Sequence, residues 1–123
     1  KNKSTICFLG LSFKPNTDDV RDSTSMKIAS YLFEKEYNVQ CYDPEAMKNA
    51  KKENSNLVFF NYAYDACKGA SAIIIGTEWN EFRALNFKKI SKLLKEKIIF
   101  DLRNIYIAED LKDLGFKYFG TGK

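Results

Sequence analysis

A chain of 123 residues, 45% hydrophobic and 15% aromatic, has the length and apolar content for one compact core. Its 20 basic and 16 acidic residues are spread along the chain for a net charge of +4, which points to no nucleic-acid partner and suits an anionic small ligand as well as ordinary solvation of helix faces. There is no histidine, so a Ser-His-Asp or Cys-His catalytic group is excluded and zinc would have to rely on scattered thiolates.

Lys1-Asn2-Lys3-Ser4 leads almost directly into a strand, without an apolar signal region or a run near the roughly 18 apolar residues of a membrane span. The expectation is a soluble, cytoplasmic chain, and the abrupt start suggests a module of something longer. Thr5–Leu9 is the first predicted strand. The loop after it, Gly10-Leu11-Ser12-Phe13-Lys14-Pro15-Asn16-Thr17-Asp18-Asp19-Val20-Arg21, stands where a dinucleotide fold keeps its phosphate loop. A G-x-G-x-x-G fingerprint brings backbone amides against a pyrophosphate; here Gly10 is alone, so direct dinucleotide binding by this loop is not expected. Side-chain charge replaces the backbone donors. Lys14, held extended by the proline behind it, and Arg21, close to the next helix, can each reach an anion. Asp18 and Asp19 then act as positioning partners that accept from backbone amides or from Arg21.

Helical spacing runs over 23–36, with Met26, Ile28, Ala29, Tyr31, Leu32 and Phe33 apolar and Asp22 or Ser23 as N-cap. Strand 39–42 ends at Asp43-Pro44. That aspartate occupies the place of a ribose-binding acid, although far from Gly10 for the role, and Asp before Pro is commonly a turn former. Helix 45–52, strand 57–60, helix 62–68 and strand Ala72–Ile75 follow. Thr77 is expected to cap the next helix, predicted over 82–94, with Glu78 in its electropositive first turn. Trp79 reads as a core or interface anchor more than a ligand platform. After strand 98–102, Arg103 presents a guanidinium that either grips a phosphate or sugar oxygen or pairs on the surface, with Asp101 orienting it. Helix 108–114 ends at Gly115, where a left-handed cap is wanted, and strand 116–119 closes the pattern. Cys7, Cys41 and Cys67, an odd count in apolar or amphipathic segments, read as reduced and buried.

Short, nearly continuous apolar strands alternating with helices specify a doubly wound α/β fold: a mainly parallel sheet with helices on both faces, a Rossmann-like three-layer sandwich over residues 1–123. Ligands of such sheets collect beyond the carboxyl ends of the strands. The loop from Gly10 to Arg21, Asp43-Pro44, 76–79 and 101–104 all fall at that edge.

Taken in order, GLSFKPNTDDVRDS, CYDPEAM, GTEWNEFR, FDLRNIY and LGFKYFGTGK, the chain resembles the C-terminal nucleotide-sugar-binding domain of UDP-glucose 6-dehydrogenases, from about Lys3 to Lys123. Members of that family oxidise the sugar C6 alcohol twice with NAD and a covalent cysteine. The resemblance implies that the NAD-binding domain, the catalytic lysine and the reactive cysteine belong to an N-terminal portion absent here. This fragment is then inactive alone, contributes no catalytic residue and holds no metal. None of the three cysteines matches the nucleophile's segment. By resemblance, Phe13, Lys14 and Arg103 contact the nucleotide sugar, UDP-glucose or a relative, and Arg21 contacts NAD held by the absent domain. Leu102 stands where the family's motif has glycine, which is expected to affect the Arg103 backbone. A homo-oligomer is implied for the complete enzyme, and neither nucleic acid nor membrane is. GDP-mannose and UDP-N-acetylmannosamine dehydrogenases share the loop motif and are the alternatives within the family. Outside it stand a phosphoacceptor receiver domain, which Thr77 fits but Arg103 does not, and a non-catalytic oligomerisation module using Trp79 and the other aromatics.

Overall fold

The computed structural model describes residues 4–121. Its elements are β1 (Thr5–Leu9), α1 (Thr24–Glu34), β2 (Asn38–Tyr42), α2 (Met47–Glu53), β3 (Val58–Phe59), α3 (Ala63–Cys67), β4 (Ala72–Ile75), α4 (Asn80–Arg83), α5 (Phe87–Leu93), β5 (Ile98–Asp101), α6 (Ala108–Asp113) and β6 (Lys117–Gly120). The strands form one sheet in the order β3-β2-β1-β4-β5-β6, and every pairing is parallel. The order reverses between β1 and β4, so the crevice of a doubly wound sheet opens there, beyond Leu9 and Ile75.

Strand residues alternate between two cores. Cys7, Leu9, Ile73, Ile75, Ile99 and Tyr118 pack with Ala66, Phe82, Phe87, Ile90 and Leu111 of α3 to α6. Phe8, Val39, Cys41 and Ile74 pack on the other face with Met26 and Ala29 of α1 and Ala50 of α2. The sandwich is therefore covered on both faces, which is why β4, AIII, is buried at every position.

Ser23 caps α1, its Oγ accepting from the Met26 amide, while Asp22 before it sits at φ 55°. The helix stops in a Schellman turn: Tyr37 N donates to Leu32 O and Glu36 N to Phe33 O, with Glu36 at φ 75°. The same pair of bonds ends α6, Phe116 N to Leu111 O and Gly115 N to Lys112 O, with Gly115 at φ 91° as its sequence implies. The expected single helix over 82–94 is two. Asn86 leaves helical geometry at ψ 94° and its side chain accepts from Lys89 N, starting α5 afresh. Among the described residues no helix is long and apolar enough to cross a membrane.

Candidate functional site

The loop after β1 is fixed at its root from four directions. Gly10 N donates to Tyr42 O. Ser23 Oγ donates to Leu11 O at 2.7 Å, and Thr77 Oγ1 donates to Ser12 O at 2.8 Å. Asp43 Oδ2 accepts from Leu11 N at 2.7 Å, Ser12 N at 3.0 Å and Trp79 Nε1 at 3.3 Å, while Oδ1 takes the amides of Glu45 and Ala46. Asp43 is wholly buried. Five donors consume its lone pairs, so it is a clamp between the β1 loop, the β4 loop and the turn into α2, and it is out of reach of a ribose. The turn reading of Asp43 is the right one, extended by three long-range donors.

Thr77 does not cap a helix. Its hydroxyl is spent on Ser12, and the N-cap position of α4 is Trp79. Glu78 consequently lies before the helix. Trp79 is 8% exposed and its indole N–H also reaches Ser12 Oγ at 3.2 Å, so it is a core anchor, unavailable as an assembly surface. Ser12 Oγ in turn donates to Lys14 O.

At the switch point the two loops touch backbone to backbone. A Cβ on Gly10 would stand 2.6 Å from Thr77 N, and one on Gly76 would run into Ser25 Oγ, Phe8 and the Gly10 carbonyl. The β1 and β4 loops are therefore packed directly against each other at the switch point.

What the pinned loop presents outward is Phe13, 49% exposed, and exposed Lys14. Phe13 N donates to Asp19 O at 2.7 Å, closing the loop on itself. Asp19 then holds Arg21: Oδ1 accepts from Arg21 N and Nε, and Oδ2 from Nη2, at 2.9 to 3.0 Å. This two-pronged contact sets the Asp19 carboxyl down to about 2. The Arg21 side chain remains 84% exposed, beside an open cleft of about 580 Å³ that Asn49 and Lys52 of α2 also line.

Arg103 lies past β5 at the same edge, and β4 alone separates its strand from β1. Asp101, wholly buried, accepts from Arg103 N, Ile105 N, Tyr106 N and the Tyr118 hydroxyl and so shapes the turn. Burial first, then the Asp101 contact, pushes the Tyr118 phenol up. Leu102 adopts no positive φ; the left-handed residue is Asn104, at φ 55°. The Arg103 Nε donates to Gly76 O at 3.0 Å, an acceptor shared with Ser25 Oγ at 2.7 Å. Glu78 Oε1 lies 3.5 Å from the same Nε. A small cavity of about 130 Å³ lies between Thr24, Ser25, Gly76, Leu102 and Arg103. Sequence reasoning named Arg103 but missed its neighbours Ser25, from the first turn of α1, and Gly76 and Glu78, from the loop after β4.

The thiols offer no nucleophile. Cys7, Cys41 and Cys67 are buried and unpaired, with Cys7 and Cys67 Sγ 3.7 Å apart. Burial pushes Cys41 to about 12 and, with Cys67 beside it, raises Cys7 well above the ordinary thiol range, so both stay protonated near neutrality. Among the described residues no group of three or more potential ligands gathers to hold a metal ion.

Residues 7–108 match the model of the UDP-glucose/GDP-mannose dehydrogenase family, UDP binding domain. The UDP-glucose 6-dehydrogenase of Rickettsia prowazekii is 44% identical over 119 residues, 95% of this chain and 27% of that protein. The solved UDP-glucose dehydrogenase of Pyrobaculum islandicum superposes with a TM-score of 0.79 at 28% identity, over 97% of this chain and 25% of the other. For the UDP-D-ManNAc dehydrogenase of Pyrococcus horikoshii the values are 0.77, 29%, 97% and 25%. The chain spans about a quarter of the length of these relatives.

Proposed function

The chain belongs to the UDP-glucose/GDP-mannose dehydrogenase family, as its C-terminal UDP-binding domain, and from that premise we propose that it supplies the nucleotide-sugar half of the active-site cleft of an NAD-dependent UDP-glucose 6-dehydrogenase. The substrate is UDP-glucose and the product UDP-glucuronate, a precursor for polysaccharide synthesis in the cytoplasm. The remaining three-quarters of the polypeptide provides the reacting groups and holds NAD, which accepts hydride when bound. This chain's task is to bind and orient. The enzyme acts as a homo-oligomer.

The observation that carries this reading is the root of the β1 loop. A dozen residues of loop with exposed Phe13 and Lys14 would ordinarily be mobile, yet Asp43, Thr77, Ser23 and Trp79 fix residues 10–12 beneath them. Such an investment in ordering suits a ligand-contacting surface. Phe13 offers an apolar face to the nucleotide sugar, Lys14 a cation to its diphosphate, and Arg103 a second cation across β4. Arg21 points from the far end of the loop towards NAD on the absent domain. Asp19 holds it without neutralising its outward donors.

In the complete dehydrogenase, Lys14→Ala raises the UDP-glucose KM roughly ten- to hundredfold, the yield of a charge-assisted hydrogen bond in a closed cleft, and leaves the NAD KM nearly unchanged. Arg21→Ala does the reverse. Equal effects of both substitutions on both ligands contradict this division.

A further inference from the structure

We infer that Glu78 is a positioning residue for Arg103: the Gly76 carbonyl by its hydrogen bond and the Glu78 carboxylate by its charge together hold the Nε edge of the guanidinium, so that an anion is met end-on by the two Nη groups. The inference rests on the reading of Arg103 as a ligand contact given above.

A guanidinium is a rigid plane with five N–H donors and two forked edges able to take a phosphate, one formed by Nε with one Nη and the other by the two Nη groups. The Nε–H of Arg103 is given to Gly76 O at 3.0 Å, and Glu78 Oε1 stands 3.5 Å from the same nitrogen. Among the described residues none accepts from either Nη, and the side chain is 35% exposed, so the second fork is open. The groups on the held edge are themselves tied down. Gly76 O is fixed by Ser25 Oγ, Gly76 has no room for a side chain, and the Arg103 backbone is fixed through Asp101 Oδ1.

Glu78 fits badly as a purely structural residue. Its Oε1 is enclosed and accepts no hydrogen bond from the described residues, although the side chain as a whole is 39% exposed. Leaving a carboxylate oxygen in that position costs stability, and among the described residues its charge partner is the guanidinium. Positioning gives the cost a purpose: an arginine already held in place loses less freedom when the ligand arrives.

The sign of one substitution separates positioning from bare electrostatics. A carboxylate beside an anion site repels the anion, so by charge alone its removal tightens binding. Positioning predicts weakening. The test is a titration of the ¹⁵N-labelled chain with UDP, followed by nuclear magnetic resonance in the wild type, Glu78→Ala, Glu78→Gln, Arg103→Ala and the Glu78→Ala/Arg103→Ala double variant, with thermal melts to verify folding. Glu78→Ala is expected to weaken UDP binding about two- to fivefold, the yield of a partly exposed ion pair. Glu78→Gln, which keeps the volume and removes the charge, falls between it and the wild type and serves if the alanine variant does not fold. The Arg103 Nε–H resonance, resolved and slow to exchange in the wild type, broadens in both Glu78 variants. The double variant binds UDP no more weakly than Arg103→Ala alone. Tighter or unchanged binding in the Glu78 variants overturns the inference, as does a double variant in which the two losses multiply. If Arg103→Ala weakens binding while the Glu78 variants do not, Glu78 positioning alone fails. If Arg103→Ala binds UDP like the wild type, the ligand role of Arg103 fails and this inference with it.

Discussion

Replacing Asp43 by asparagine changes one oxygen to an amide nitrogen at the most heavily used acceptor of the site. Oδ2 takes three N–H groups, from Leu11, Ser12 and Trp79, and Oδ1 takes two, from Glu45 and Ala46. An amide must turn its NH₂ towards one of these sets. The less costly choice faces Glu45 and Ala46, losing two bonds to a charged acceptor and setting N–H against N–H. At about 1.5 to 3 kcal/mol for each such bond, the loss is about 3 to 6 kcal/mol, a large share of the roughly 5 to 15 kcal/mol that holds a domain folded. Urea unfolding followed by circular dichroism reads this as a lowered midpoint with an unchanged slope. A stability loss below about 1 kcal/mol refutes the clamp. The clamp also predicts that any Asp43 variant that folds shows altered resonances at Leu11 and Ser12 before ligand is added, whereas a ribose-binding acid would change nucleotide affinity and leave stability alone.

Asp19 is expected to titrate near 2 by carbon-detected resonance, because the two-pronged bond to Arg21 favours its charged form; in Arg21→Ala the midpoint returns to about 4. The sign follows from the lowered value. The contribution of the pair to stability is complete above the ordinary carboxylate range and is lost as the pH falls towards 2. Gly76→Ala forces a Cβ onto Ser25 Oγ and to 2.7 Å from the Gly10 carbonyl, which a packed interior does not absorb. A loss of about 1 to 3 kcal/mol in the same urea assay is expected, and a neutral effect contradicts the close approach of the two loops.

Most of the fold was legible because its strands are short β-branched and aromatic runs and its helices carry apolar stripes. Residues whose conformation depends on local chemistry were read well. Gly115 ends α6 in the conformation only glycine adopts freely, and Ser23 caps α1. Glu36 takes the equivalent left-handed position after α1 with a side chain that gives no such signal. The break between α4 and α5 was hidden because Phe82, Leu85, Ile90 and Leu93 keep helical spacing across it while only Asn86 marks the restart. Thr77 was misread for a different reason: its bonding partner, the Ser12 carbonyl, lies 65 residues away, and no local pattern reports it. The candidate site followed the same rule. Phe13, Lys14, Arg21 and Arg103 could be named from motifs, but the groups that hold Arg103 come from α1 and the β4 loop and meet only when β1, β4 and β5 lie side by side.

On the reading proposed above, the pinned β1 loop and the turn after β5 form one face for a nucleotide diphosphate sugar. Its most direct test is a titration of the ¹⁵N-labelled chain with UDP and then UDP-glucose, mapping which amides move. Phe13, Lys14 and Arg103 are expected to shift together along a single saturation curve, with Arg21 unaffected until NAD and the rest of the enzyme are present. Saturable binding that moves Lys14 without Arg103, or neither of them, contradicts it.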